Sequence, residues 1–394
     1  MTSSPLLPNT LVSKDSVVGE VIEFLNSREL FNAFREEEVY PWHWRNLSAK
    51  KGYTLLDVSR DDGGLGLMAQ DMAKLYEVCG RISINSRELL GCGHAGMIAK
   101  YGSPEQKRKY LSKIGSGNLL VGVGLTEPGV GSDLASIKSY ADRVGDSYVL
   151  FAHKEWVSRI HEAKTFIVFA KTNRNMGAKG LTAFLVDMDN PCISTYEKRP
   201  MGLRGWSFGG FEIAGLELPY TSRLGDEGQG FEIFNNHFLY WRILMGMICI
   251  GAAKASIDET LEYISEREAF GSPIGRFQGI VHRMVESLTK IESARLLCLK
   301  ACETIENGEP STQLSAMSKW YATQISYEAI DACIQTMGAR GYDSSCPLEQ
   351  RLRDVRGLMI ADGSNDTLKS LVGREILGRE LYNAMLNRNS NSSN

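Results

Sequence analysis

The hydrophobic period of this chain changes twice, and those changes limit its fold more than any single motif does. From Ser16 to Leu119 apolar residues recur at helical spacing, as in VVGEVIEFLNSRELFNAF and MAKLYEVCGRI. From Leu120 to about Gly225 the runs become short and β-rich: LLVGVGLTE, SYVLFAHKEWVS, TFIVFAK, LTAFLVDM and FEIAGLEL. No helix-length segment separates them, so parallel βαβ units are not expected and a small antiparallel sheet is. From Gly230 the helical period returns and holds. It predicts one helix from Phe231 into SIDETLEYISERE and a second ending at Gly308. A third spans TQLSAMSKWYATQISYEAIDACIQTMGARG, and a fourth begins near Asp362. The expected fold is α+β multidomain: an N-terminal helical domain (1–119), a middle antiparallel β domain (120–229) and a C-terminal four-helix bundle (230–394). The tail NRNSNSSN reads as disordered.

A chain of 394 residues can bury a sizeable core in two or three packed units. Its net charge of −3 argues against a dedicated nucleic-acid binder. The longest nearly uncharged apolar stretch, ILMGMICIGAA, is too short to span a bilayer, and MTSSPLLPNT lacks the build of a signal peptide. The eight cysteines contain no C-x-x-C, and the six histidines no H-x-x-x-H. Buried thiols in a cytoplasmic protein, with no metal and no membrane association, are the expectation.

Several segments have both an ordinary and a chemical reading. GSPEQKRKYL is a helix start, with Ser103 as cap, Pro104 at the first position and Glu105 facing the dipole. LTEPGVGSD is a tight turn, or a loop whose backbone and hydroxyls (Thr126, Ser132) approach a ligand; it carries neither G-x-G-x-x-G nor a P-loop lysine. KEWVS puts Trp156 and Ser158 on one side of a strand, as sheet core or as a stacking surface for a flat heterocycle. REAFGSPIGRFQ puts an arginine at a helix end before a Phe-Gly turn and reads as a C-cap, and QTMGARGY reads as a helix ending with two glycines.

Taken in order, YGSPEQKRKYL, LTEPGVGSD, KEWVS, MGLRG, GDEGQGF, REAFGSPIGRFQ, QTMGARGY and GREILGREL resemble the acyl-CoA dehydrogenase family over nearly the whole chain, from about Val18 to Leu386. The resemblance implies FAD at a dimer interface within a homotetramer, though a homodimer is also open. It implies that Leu125 and Thr126 meet the flavin pyrimidine edge, Ser132 the pyrophosphate, and Trp156 and Ser158 the isoalloxazine. Arg267, Phe270 and Gln278 would reach the adenine-side half of an FAD in the neighbouring subunit, joined by Gln335 and Gly338. Ser364 stands where the family usually has a flavin-contacting threonine. Another implied difference is local: the family often has an Asn-Gly turn after the flavin-contacting hydroxyl. Arg159 and Ile160 stand there, and since neither takes positive φ cheaply, that turn should differ.

The resemblance also bears on IADGSND. The family's usual base is the glutamate of a Glu-Gly-Thr triplet; here the triplet is Asp362-Gly363-Ser364. Asp362 is therefore either the base that removes an α-proton from an acyl thioester or the N-cap of the last helix. The family's alternative base precedes an arginine on the long helix, but Trp241 precedes Arg242 and is no base. A bulky Trp241 beside the acyl chain would shorten the pocket. The implied activity is FAD-dependent dehydrogenation of a small acyl thioester, carried by coenzyme A or an acyl carrier protein, possible in natural-product pathways. The implied acceptor is an electron-transfer flavoprotein or oxygen. A flavin oxidase or monooxygenase on the same fold, and a non-catalytic binding protein, are the competing readings.

Overall fold

Helical spacing becomes helix at both ends of the chain. A computed structural model describes residues 16–34, 40–91, 94–378 and 380–382; the expected disordered tail lies outside them. The first helices are α1 (Val17–Leu25), α2 (Arg28–Ala33), α3 (Trp42–Lys50), α4 (Ala69–Ile82), α5 (Ala95–Tyr101) and α6 (Pro104–Gly115). The run VVGEVIEFLNSRELFNAF splits into α1 and α2 because Ser27 starts a new helix, its hydroxyl accepting from Leu30 N. At α6 the predicted cap is present: Ser103 accepts from Gln106 N at 3.2 Å, and Gln106 reaches back to Ser103 N at 2.9 Å.

The strands are β1 (Val121–Gly124), β2 (Tyr140–Val144), β3 (Ser147–Ser158), β4 (Thr165–Lys171), β5 (Leu181–Asp187), β6 (Ile193–Glu197), β7 (Phe208–Pro219) and β8 (Arg223–Leu224). They form one sheet in the order β6-β7-β3-β2-β4-β5-β8, with β1 beside β4. The expected all-antiparallel sheet is corrected here to a mixed one. β1 runs parallel to β4, Val121 opposite Thr165 through Gly124 opposite Val168, and β2 meets β4 in a parallel bridge. The parallel connection needs no helix, because the β2–β3 hairpin supplies the crossover length. Gly122 lets β1 sit there: a Cβ would lie 2.1 Å from the Phe166 ring.

After β8 come α7 (Gly230–Glu266), a short hairpin of β9 (Glu268–Ala269) and β10 (Ser272–Pro273), α8 (Gln278–Glu306), α9 (Thr312–Met337), α10 (Ala339–Tyr342), α11 (Pro347–Leu358) and α12 (Asn365–Leu377). The four expected helices are present, with α10 and α11 between the third and fourth. Among the described residues α7 is the one helix long and apolar enough to cross a membrane, but 83% of its apolar window is buried, as in a core helix.

The chain forms two compact units: Val17–Met68 with Asn85–Phe238, and Ala69–Ile84 with Leu239 onward. In the second, α4 meets α7 through two glycines. A Cβ on Gly80 would lie 1.9 Å from Ile248 O, and one on Gly251 would lie 2.0 Å from Glu77 O. Beside this crossing, Glu77 binds Lys254 at 3.0 Å and Arg295 at 2.7 Å, tying α4 to α7 and α8. Elsewhere in this unit Ala316 of α9 packs on Leu368 and Val372 of α12.

Gly251→Ala should lower unfolding free energy by about 1–3 kcal/mol, since backbone must move to admit one methyl. Gly96→Ala, where a Cβ would meet nothing within 4 Å, should be neutral or stabilise slightly. Urea unfolding of the two variants beside the wild type measures the difference.

Candidate active site

The last helix does not begin at Asp362. Ser364 is its N-cap, its hydroxyl accepting from Thr367 N at 3.3 Å and lying 2.9 Å from Thr367 Oγ1. The cap reading of Asp362 is thereby corrected: the hydroxyl two residues on takes the backbone donor. Asp362 instead occupies a turn between α11 and α12 with φ 59°, followed by Gly363 at φ 95°. For a non-glycine residue this left-handed conformation is strained, and the neighbours hold it. Arg242 Nε on α7 donates to the Asp362 carbonyl at 3.0 Å, and Lys319 Nζ on α9 donates to the Gly363 carbonyl at 2.7 Å. Trp241 Nε1 donates to Asp362 Oδ2 at 3.1 Å. Asn365 adds a tie, its Oδ1 accepting from Thr323 Oγ1 at 3.1 Å. A carboxylate thus stands on a turn whose backbone is fixed from α7, α9 and α12. Asp366, by contrast, is 97% exposed.

Burial disfavours charge on Lys319, which is fully buried, and pulls its pKa down to about 8, with Asp362 opposing that shift. Arg242 is likewise pulled down by burial and supported by Asp362. Nothing in one sequence marks Lys319 as buried, since lysine is ordinarily a surface residue.

The rest of the sequence-predicted set in this unit gathers at its other end. α7 ends at Glu266, and Arg267, exposed, leads into the hairpin, whose turn is Phe270 (φ 53°) and Gly271 (φ 76°). Two positive φ values are what a tight hairpin turn needs, but a phenylalanine in that conformation and 96% exposed has no packing reason to be there. Gln278 is the exposed first residue of α8. Arg283 Nη1 donates to Thr336 Oγ1 at 3.2 Å, which puts the start of α8 beside the end of α9, where Gln335 is exposed and Gly338 caps with φ 60°. Lys319 lies about 27 Å back along α9 from Met337, so this cluster is separate from the Asp362 turn.

In the β-containing unit, Glu127-Pro128-Gly129-Val130 forms the turn of LTEPGVGSD, closed by Glu127 N to Val130 O at 3.0 Å, with Gly129 at φ 77°. Lys154, fully buried on β3, holds the turn's entry, donating to Leu125 O at 3.1 Å and Glu127 Oε1 at 2.8 Å. Burial draws Lys154 down to about 8, against the pull of Glu127. Burial opposes ionisation of Glu127, but Lys154 and the Lys138 and Ser139 amides outweigh it and hold that carboxyl low. Leu125 packs on Val130, Ile137 and Leu181, Thr126 O accepts from Glu155 N at 2.9 Å, and Ser132 is exposed. The Lys154–Glu127 lock had no signal in the sequence.

Next to this turn β3 bulges against β7: Glu155 faces Gly210, Val157 faces Gly209, and Trp156 is the extra residue, at φ 60°. The bulge turns the indole out, leaving it 55% exposed with Lys198 Nζ 4.4 Å from its ring centroid. Trp156 is not sheet core. Ser158 ends the strand opposite Phe208. The expectation that Arg159 avoids positive φ is overturned: its φ is 65°. Its buried guanidinium explains how the strain is borne, with Nη1 2.6 Å from Glu88 Oε1 and Nη2 3.2 Å from His94 Nε2. Its amide also donates to Ser207 O at 2.6 Å. Since arginine can only donate, His94 Nε2 accepts, and burial accordingly pulls His94 well below the usual histidine range, with Arg159 adding to it.

These residues fit a flavin. An aromatic plane faces outward beside hydroxyls, and at Gly129, Gly131 and Gly338 a Cβ would meet nothing within 4 Å, leaving open backbone. The family's acyl-CoA dehydrogenase N-terminal, middle and C-terminal domains match residues 16–118, 122–215 and 228–377. The mitochondrial short-chain specific acyl-CoA dehydrogenase of Mus musculus is 30% identical over 345 residues, spanning 86% of this chain and 84% of that protein. The FAD complex of PigA is similar with a TM-score of 0.86 and 26% identity, over 92% of this chain and 97% of that one. The prolyl acyl carrier protein oxidase AnaB is similar with a TM-score of 0.84 and 25% identity, over 92% and 97%. The chain belongs to the acyl-CoA dehydrogenase family. It is an FAD-dependent oxidoreductase acting on the CH–CH group of an acyl thioester.

Lys319 titrates in the folded protein at about 8, below its ordinary 10.5. The unfolded chain therefore binds the extra proton between those values, and this group's contribution to stability rises with pH across that window. Lys319→Met should remove a rise of about 2–4 kcal/mol. Urea titrations of both proteins at about pH 7.5 and about pH 10.5 read the difference.

Proposed function

We propose that the protein dehydrogenates a small acyl thioester, with Asp362 as the base. The observation that carries this reading is the turn itself: Asp362 is held in a strained conformation by Arg242 and Lys319 while Ser364 does the capping. Strain kept up by buried charged groups is poorly explained by a structural role. FAD, when bound, supplies the hydride acceptor. Asp362 takes the α-proton, and the β-carbon gives up hydride, leaving an enoyl thioester.

In the β-containing unit Leu125, Thr126, Ser132, Trp156 and Ser158 would hold the flavin and pyrophosphate; in the other unit Ser364 would offer a hydroxyl to a flavin. Arg267, Phe270, Gln278, Gln335 and Gly338 would serve the FAD of a neighbouring copy in a homo-oligomer. Their grouping about 27 Å along α9 from the base supports that division. The exposed Phe270 supports it too, because a partner surface would cover it. An electron-transfer flavoprotein is the acceptor we favour, and the buried thiols suit the cytoplasm.

Trp241, 5% exposed, floors the acyl pocket in this reading, which favours acetyl-to-butyryl groups. The short-chain specificity named for the Mus musculus relative supports a small acyl group. Coenzyme A and an acyl carrier protein are both compatible carriers. Similarity to a prolyl acyl carrier protein oxidase favours the carrier protein, and it is also the observation behind a second reading, an oxidase whose reduced flavin reacts with oxygen.

Asp362→Asn retains size, so FAD content should survive. Anaerobic flavin bleaching by butyryl thioester should slow by about 10²–10⁴-fold. Asp362→Glu should also be slower, because the longer arm misplaces the oxygens. Near-normal bleaching in Asp362→Asn rejects the base. Fast reoxidation of the reduced enzyme by air would favour the oxidase.

Chain length is tested separately. The wild type should prefer butyryl to palmitoyl thioesters, and Trp241→Gly should narrow that preference. Equal turnover of both by the wild type would show that Trp241 does not limit the pocket.

A further inference from the structure

An aspartate is one methylene shorter than the glutamate usual in this family, so its carboxylate has less reach and less room for error. Its environment contains an unusual compensation. Trp241 Nε1 lies 3.1 Å from Asp362 Oδ2, and an indole N–H can only donate. The indole is itself fixed, 5% exposed and edge-on to Tyr76 with ring centroids 6.1 Å apart at 83°. Two buried cations reach the backbone of the turn. Arg242 from α7 binds the Asp362 carbonyl through Nε, and Lys319 from α9 binds the Gly363 carbonyl. From α12, Asn365 is engaged with Thr323, and Asp366 faces solvent. Trp241 reaches the carboxylate itself, through Oδ2.

We propose that Trp241 is a positioning residue for the reaction: its N–H anchors Oδ2, so that Oδ1 is the atom that receives the α-proton. This rests on Asp362 being the base. The α C–H bond breaks, its proton bonds to Oδ1, and the electron pair moves toward the thioester carbonyl. The β-carbon gives up its hydrogen with the C–H electron pair, a hydride that FAD, when bound, would accept, and the enoyl thioester forms. Without the anchor the short side chain can rotate, and a displacement of about 1 Å lowers the rate by about 100-fold. The bond explains how one residue can take part in both length selection and chemistry: it floors the pocket proposed above, and its polar edge is turned to the base.

Trp241→Phe keeps most of the aromatic bulk and removes the N–H. Anaerobic bleaching by butyryl thioester should slow by about 10–100-fold, while thioester affinity and the butyryl-to-palmitoyl ratio stay near the wild-type values. The isotope effect with α-deuterated substrate should increase, because proton abstraction becomes more rate-limiting. In an Asp362→Asn background the same substitution should have little further effect, which a merely structural role would not produce. Asp362→Asn separates the two claims. If it bleaches normally, the base reading fails. If it is slow while Trp241→Phe bleaches as the wild type, only the positioning role fails; an equal slowing by Trp241→Phe in both backgrounds also overturns it. Should Trp241→Phe not retain FAD, difference Raman spectra of the wild type and Asp362→Ala serve instead. The indole band sensitive to N–H hydrogen bonding should shift, and an unchanged band overturns the proposal.

Discussion

The structure around Asp362 depends on two carbonyls being held. The turn at Asp362 and Gly363 runs through left-handed backbone, which an aspartate adopts at an energetic cost. Arg242 and Lys319 bind those carbonyls from α7 and α9, and both are buried cations whose desolvation is itself unfavourable. Both cations interact electrostatically with Asp362, which opposes the effect of burial on each. The carboxylate is thus part of what keeps the clamp charged, and the clamp is what keeps the carboxylate in place. If Asp362 is the base proposed above, chemistry and local stability are coupled through one turn.

The β-containing unit solves a similar problem with different parts. There the turn at Glu127–Val130 is held by Lys154 and Glu127, a buried pair whose carboxylate also accepts two backbone amides. Next to it the strand bulges at Trp156 and turns again at Arg159, two positive-φ residues within four positions. Each has a reason on the page: the bulge exposes an indole, and the guanidinium of Arg159 is bound by Glu88 and His94. Strain is concentrated beside the residues proposed above to contact the flavin, as backbone strain often is at functional sites.

Much of this was legible in the sequence. The helical period located α7, α8 and α9, and Ser103-Pro104 with Glu105 located the start of α6. A comparable signal, Pro347 followed by Glu349, marks α11 and was available. What could not be read was tertiary. The parallel partner of β1 lies some forty residues away, and no local pattern distinguishes it from an antiparallel one. Asp362 and Ser364 are both good caps, and only the fold decides between them. Arg159 breaks the rule for β-region side chains because a distant Glu88 rewards it. Lys154 and Lys319 look like surface lysines until their carbonyl partners are known.

The central claim is that Asp362, anchored through Oδ2, presents Oδ1 to the α-carbon. A crystal structure of the FAD-loaded protein with a short thioester whose β-carbon is replaced by sulfur, and so cannot release hydride, tests it most directly. The account predicts Oδ1 about 3–3.5 Å from the α-carbon, with the bond from Trp241 to Oδ2 intact. A carboxylate turned away from the α-carbon, with another base in its place, would contradict it.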